Sequence, residues 1–182
     1  MLGRTDELWI SLAIAGVSTL AVFTDFRFRK VPNWLTLTAT VLALGFHWAM
    51  PSGLSFAGSL LGAGVGLLFF IPLFIPGWVG AGDAKLLMVF GSWGGPHFAM
   101  NVAFWSIAMG AALAVVQLAL RGTLLDFARR FWSFLRAWVF KELEPMAFRV
   151  DRGATLPFAI PMAIAALGYR LEQLPEVIQW LR

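Results

Sequence analysis

The chain has 182 residues, of which 59% are hydrophobic and only 13% charged, with a mean hydropathy of +0.77. A soluble domain carries roughly 25% charged residues, so this sequence lacks the charge to cover a water-facing surface and reads as one integral membrane domain, or at most two small ones. A net charge of +4 would suggest nucleic acid in a soluble chain; here it is a topology signal, and no nucleic-acid partner is expected. There is no cysteine, which excludes disulfides, thiolate zinc sites and a cysteine nucleophile. His47 and His97 alone are too few for a histidine-rich metal site, so neither metal nor cofactor is expected.

Residues 8–24, "LWISLAIAGVSTLAVFT", form the first apolar run. Asp6 and Glu7 precede it where a signal peptide has a basic region, and "DFRFRK" follows it where a small-residue cleavage site would lie. The run is therefore expected to stay as a transmembrane helix. A second span is expected over 34–50 and a third over 54–76. The third carries Gly58, Gly62 and Gly66, a ladder suited to close helix packing. The fourth, over 80–95, has only about 12 residues after Asp83, short of the roughly 20 that a span needs. Either "GAGD" is drawn into the membrane or the segment covers part of the bilayer. A fifth span is expected over 97–120 and a sixth over 154–171, where Pro157 and Pro161 would interrupt the hydrogen-bond ladder. Between these two, residues 123–140 place Leu124, Ala128, Phe131, Leu135 and Trp138 on one helical face and Asp126, Arg129, Arg130, Ser133 and Arg136 on the other. That pattern suits a helix lying on the membrane interface.

The expected fold is thus an all-α polytopic bundle of about six transmembrane helices plus an amphipathic interfacial helix, in a single domain over 1–182. Eleven of the fourteen Lys and Arg residues fall in three segments: after the first span, at the start of the fourth and after the fifth. The positive-inside rule puts those segments in the cytoplasm and both termini outside.

Five aspartates are present. Asp6 in the N-terminal tail, Asp126 on the polar face of the interfacial helix and Asp151 beside Arg152 read as solvated charges. Asp25 and Asp83 end up at the same depth on the cytoplasmic side. Taken singly, Asp25 could be the polar end of a span and Asp83 the N-cap of the next helix. As a pair they supply what acid–base hydrolysis needs. Two close carboxylates cannot both ionise, so one can take a proton from water while the other donates to a carbonyl oxygen.

"DFRFRKVPNWLT" at 25–36 resembles the first aspartate motif of the type IV prepilin peptidases, and "GAGDAKLL" at 80–87 their second, a G-x-G-D-x-K signature. "LPFAIP" at 156–161 is similar to the proline-rich opening of their last helix. The resemblance runs in order through the chain. It implies an aspartic endopeptidase of the bacterial inner membrane with Asp25 and Asp83 as the catalytic pair. Its partners would be the lipid bilayer and a prepilin or pseudopilin, cut at the cytoplasmic face just before the pilin's hydrophobic helix. The long members carry a cysteine-containing methyltransferase region that is not found here. The chain is therefore similar to the short form associated with Flp/Tad pili, and methylation by it is not expected.

Around the pair, Gly80 and Gly82 would allow close backbone approach, and Lys85 would either orient substrate, tune Asp83 or simply snorkel. Pro32 and Asn33 would set the turn into the second span, with Asn33 as the cap. Pro157 would help to open a substrate slot or merely bend its helix. Two other functions remain open: a small proton-coupled transporter using the same two aspartates, and a non-catalytic assembly factor.

Overall fold

A computed structural model of the chain describes residues 2–50, 53–74, 80–140 and 158–173. Among these residues every regular element is a helix: α1 Leu2–Phe28, α2 Asn33–Ala49, α3 Phe56–Phe74, α4 Ala81–Leu120, α5 Leu124–Phe140 and α6 Ala159–Gln173. The chain forms two compact units, one of Met1–Ile107 with Pro157–Arg182 and the other of Ala108–Leu156.

In the first unit, α1 extends about one and a half turns further toward the N-terminus than the apolar run alone suggests. This corrects the placement of Asp6, which is buried rather than solvated in a tail. The α1 C-terminus has an identifiable stop. Arg29 adopts the left-handed conformation (φ 50°), and its N–H donates to the Asp25 carbonyl at 2.8 Å. A left-handed residue bonded back four positions is a standard helix terminator. Three residues later Pro32, with φ −71° and ψ 142°, leads into α2.

The turn differs from expectation in one respect. Pro32, not Asn33, occupies the N-cap position, and no side chain caps α2 there. Asn33 is the first helical residue, and its side chain is used elsewhere.

Gly95 lies within α4 but has φ 84° and ψ 178°, so the helical backbone breaks there, just before Pro96. A β-carbon built on Gly91 would lie 3.1 Å from that of Ala99. Eight residues of straight helix would separate those positions by about 12 Å, so the two arms fold sharply against one another.

α3 packs along the first arm through its glycines. A β-carbon on Gly62 would run into the Gly91 carbonyl, and one on Gly66 into the Leu87 carbonyl. Gly58, the first rung of the ladder, faces the nearby side chains of Leu54 and Ser55 rather than α4. Ser59 Oγ adds a hydrogen bond to the Ser92 carbonyl at 2.6 Å, and Trp93 Nε1 ties α4 to the Ala39 carbonyl of α2 at 3.1 Å.

The interior of this unit combines large side chains such as Ile14, Phe70, Leu86, Leu87 and Phe90 with many alanines, and large apolar side chains also cover its outside. Ala21, Ala39, Ala43, Ala63, Ala84, Ala99, Ala103, Ala163 and Ala166 are buried, whereas Leu12, Phe23, Leu42, Trp48, Leu61, Leu68 and Phe104 point outward. Small residues at helix contacts and large apolar ones outside suit lipid, because the hydrocarbon solvates the outer side chains. Asp6–Phe28 is long and apolar enough to cross a membrane, and Ala81–Leu120 is so by length and composition when counted across its bend at Gly95.

In the second unit, α4 ends at Leu120, a turn with Gly122 at φ 68° follows, and α5 begins at Leu124. Asp126 and Arg129 of α5 form an exposed ion pair at 4.0 Å, while Leu125 and Trp132 are also exposed. Pro157 and Asp151 fall outside the described residues, as does the start of the expected sixth span.

Candidate active site

The two aspartate motifs meet at one end of the first unit. Gly82 of α4 lies against Val31 of the α1–α2 turn, with its would-be β-carbon 3.5 Å from that of Val31. Lys85 Nζ donates to Asn33 Oδ1 at 2.9 Å. The charge of Asp25 is close enough to act on Asp83. Two contacts of different kinds, one of packing and one a hydrogen bond, thus join residues some fifty positions apart in sequence.

Asp25 is buried at 8% exposure, one turn inside the end of α1. Its Oδ2 accepts the N–H of Ala159, the first residue of α6, at 3.2 Å. The first N–H groups of any helix lack an intrahelical partner, and Asp25 supplies one from outside, as an N-cap side chain would. Pro161 lies in the same first turn of α6. It has no N–H to leave orphaned, and the first i→i−4 bond of the helix is Met162 N–H to the Phe158 carbonyl at 3.3 Å. The expectation that Pro161 breaks the ladder is therefore corrected: it sits where no ladder bond exists. Arg29, the α1 terminator itself, also places its positive charge near Asp25.

Asp83 is held differently. α4 begins at Ala81, so Asp83 is its third residue rather than its N-cap. Oδ2 reaches back to accept the Gly80 N–H at 3.1 Å, the return half of a capping box. A β-carbon on Gly80 would stand 3.1 Å from that same oxygen. Glycine at 80 therefore leaves the carboxylate its room, whereas Gly82 has ordinary space beside Val31.

Each carboxylate thus has Oδ2 tied to a backbone N–H. Among the described residues no hydrogen bond within the protein engages either Oδ1. Beside the pair, an open hollow of about 410 Å³ is lined by Thr24, Phe28, Lys30, Val31, Pro32, Asn33 and Trp34. No grouping of three or more His, Cys, Asp or Glu that could hold a metal occurs among the described residues.

Some features of the site carried no sequence signal. The Ala159 N–H is a backbone group. Val31 is an ordinary apolar residue, and Arg29 looks like one more basic residue in a topogenic cluster.

The Type IV leader peptidase family profile matches residues 12–115, more than half of the chain and both aspartate motifs. The chain belongs to this family, and with its apolar helices it is a membrane protease. No curated protein and no solved structure matches it.

Proposed function

We propose that the protein is an aspartic endopeptidase that removes the leader of type IV prepilin-like substrates, of the Flp/Tad kind, at the cytoplasmic face of the inner membrane. The observation that carries this reading is the meeting of the two motifs, through Gly82 on Val31 and Lys85 on Asn33, with each carboxylate steadied by a backbone N–H. Membership in a leader peptidase family favours hydrolysis over proton-coupled transport by the same two groups.

The chemistry follows from the pair. The ionised carboxylate takes a proton from a water whose oxygen attacks the scissile carbonyl carbon, while the protonated one donates to the carbonyl oxygen. When the tetrahedral intermediate collapses, the C–N bond breaks, the leaving nitrogen collects a proton from the acid just formed, and the other carboxylate takes back a proton from a hydroxyl of the intermediate as the C=O bond re-forms. Water is consumed and both aspartates regain their starting states. Lys85, fixed on Asn33, and Lys30 in the neighbouring hollow put positive charge where substrate would enter.

The test is cleavage of candidate prepilins in membranes carrying the protein. Asn is nearly isosteric with Asp but cannot shuttle a proton, so Asp25→Asn and Asp83→Asn should each abolish cleavage while inserting normally. The double variant should be no worse than either, as expected for groups acting as a unit. Asp126→Asn should cleave at close to the parent rate, because that carboxylate is exposed on α5. Near-parental processing by Asp25→Asn or Asp83→Asn would defeat the dyad.

A further inference from the structure

At the end of α1 away from Asp25, a second polar group is buried that the proposed chemistry does not use. Arg170 of α6 is only 9% exposed. One of its terminal nitrogens donates to Glu7 Oε2 of α1 at 2.8 Å and to Gln173 Oε1 at 3.1 Å. Its guanidinium lies over the Phe98 ring, 5.6 Å from the centroid, and its Nε has no hydrogen-bond partner among the described residues. His47 of α2, also buried, feels the charges of both Glu7 and Arg170.

Arg170 is buried while the Glu7 side chain is 46% exposed; such a half-buried ion pair is weak evidence for stability, because desolvating the guanidinium offsets much of the attraction. An apolar residue would pack here without that cost. The better-attested use of such a pair is to fix the register of one helix on another. α6 and α1 leave that register to be fixed. They pack closely and run antiparallel, since Ala159 reaches Asp25 while Arg170 reaches Glu7. The buried side chains of α6 are mostly alanines, at 159, 163, 165 and 166, with Met162 and Pro161. Alanines present little relief to resist sliding.

The lengths also matter. Eleven residues separate Ala159 from Arg170 and rise about 16 Å; eighteen separate Asp25 from Glu7 and rise about 27 Å. The Glu7 and Arg170 side chains help bridge this difference, so their bond limits how far α6 can slip away from Glu7. A slip of one residue's rise, about 1.5 Å, would carry the Ala159 N–H out of hydrogen-bond range of Asp25.

We infer that Glu7 and Arg170 are positioning residues for catalysis: their ion pair sets the register of α6 on α1 and so keeps the Ala159 N–H on the Asp25 carboxylate at the opposite end of the bundle. This rests on the reading of Asp25 as catalytic.

The test compares Glu7→Gln, Arg170→Gln and the double variant of the full chain in proteoliposomes with a purified prepilin, with kcat referred to folded, inserted protein. Misplacement by an ångström or so costs up to about 100-fold. Each single variant should therefore lose about 10- to 100-fold in kcat with KM within about two-fold of the parent. The double variant should lose no more than a single one, and Arg170→Lys, which keeps the charge, should recover most of the loss. The inference is overturned if both single variants keep the parent kcat per folded molecule, or if lost activity only tracks lost folded protein. A parent that cleaves no prepilin would take down the peptidase reading and this inference together; a cleaving parent with indifferent variants removes only the inference.

Discussion

At the scale of single residues, the candidate site depends on where backbone N–H groups point. Asp25 borrows the α6 N-terminus and Asp83 borrows the residue that precedes α4. The sequence shows both aspartates through their motifs, but it cannot show Ala159 as a donor, because any residue other than proline would offer the same N–H. The two motif glycines, which read alike in sequence, separate in the structure. A methyl group at 80 meets Asp83 Oδ2 at 3.1 Å, tighter than ordinary contact, whereas one at 82 meets Val31 at an ordinary 3.5 Å. Gly80→Ala should therefore displace the carboxylate and lower kcat by about ten-fold or more, in line with the cost of small misplacements. Gly82→Ala should keep most of its activity, helped by the better helix propensity of alanine. Assaying the two variants side by side on one prepilin checks the distinction. Equal losses in both would mean that Asp83 is not held through Gly80.

At the scale of elements, the apolar runs located the helices well and their ends poorly. α1 starts earlier than its apolar run because Asp6 and Glu7 look like a polar tail until Arg170, more than 160 residues away, is seen to receive Glu7. Asn33 reads as a cap because asparagine favours that position; its side chain instead accepts from Lys85, a tertiary contact without local signature. The glycine ladder of α3 was legible as a packing device, but not its partner. Gly62 and Gly66 face carbonyls of α4, while Gly64, on the same helix, faces open space. This gives a contrast within one helix. Gly62→Ala must push α3 off the Gly91 backbone and should cost about 1–3 kcal/mol, the range for overpacking. Gly64→Ala should be neutral or stabilising by up to about 1 kcal/mol, from helix propensity alone. Unfolding midpoints in one detergent would measure both, and a Gly62→Ala protein as stable as Gly64→Ala would refute the close contact.

At the scale of the whole molecule, many large apolar residues on the outside and few charges agree with a chain built for lipid. Orientation follows from the distribution of the charges that remain. Asp25, Arg29, Asn33, Asp83 and Lys85 gather at one end of the first unit, and Glu7 with Arg170 at the other end of α1. In the expected topology Arg170 is one of three basic residues on the side opposite the basic segments, and Glu7 pairs with it at 2.8 Å. It therefore opposes the positive-inside bias less than a bare count of charges suggests. The expected topology has both termini outside, the Asp25–Asp83 end facing the cytoplasm, residue 52 in a periplasmic loop and residue 140 in the cytoplasm. Reporter fusions at 52 and 140 check it with two independent signals. A periplasmic reporter should be active at 52 and silent at 140, and a cytoplasmic reporter the reverse. The inverted pattern would leave the meeting of the two motifs intact but turn the site toward the periplasm. A leader held in the cytoplasm could not then reach Asp25 and Asp83, and the proposed substrate would have to be given up.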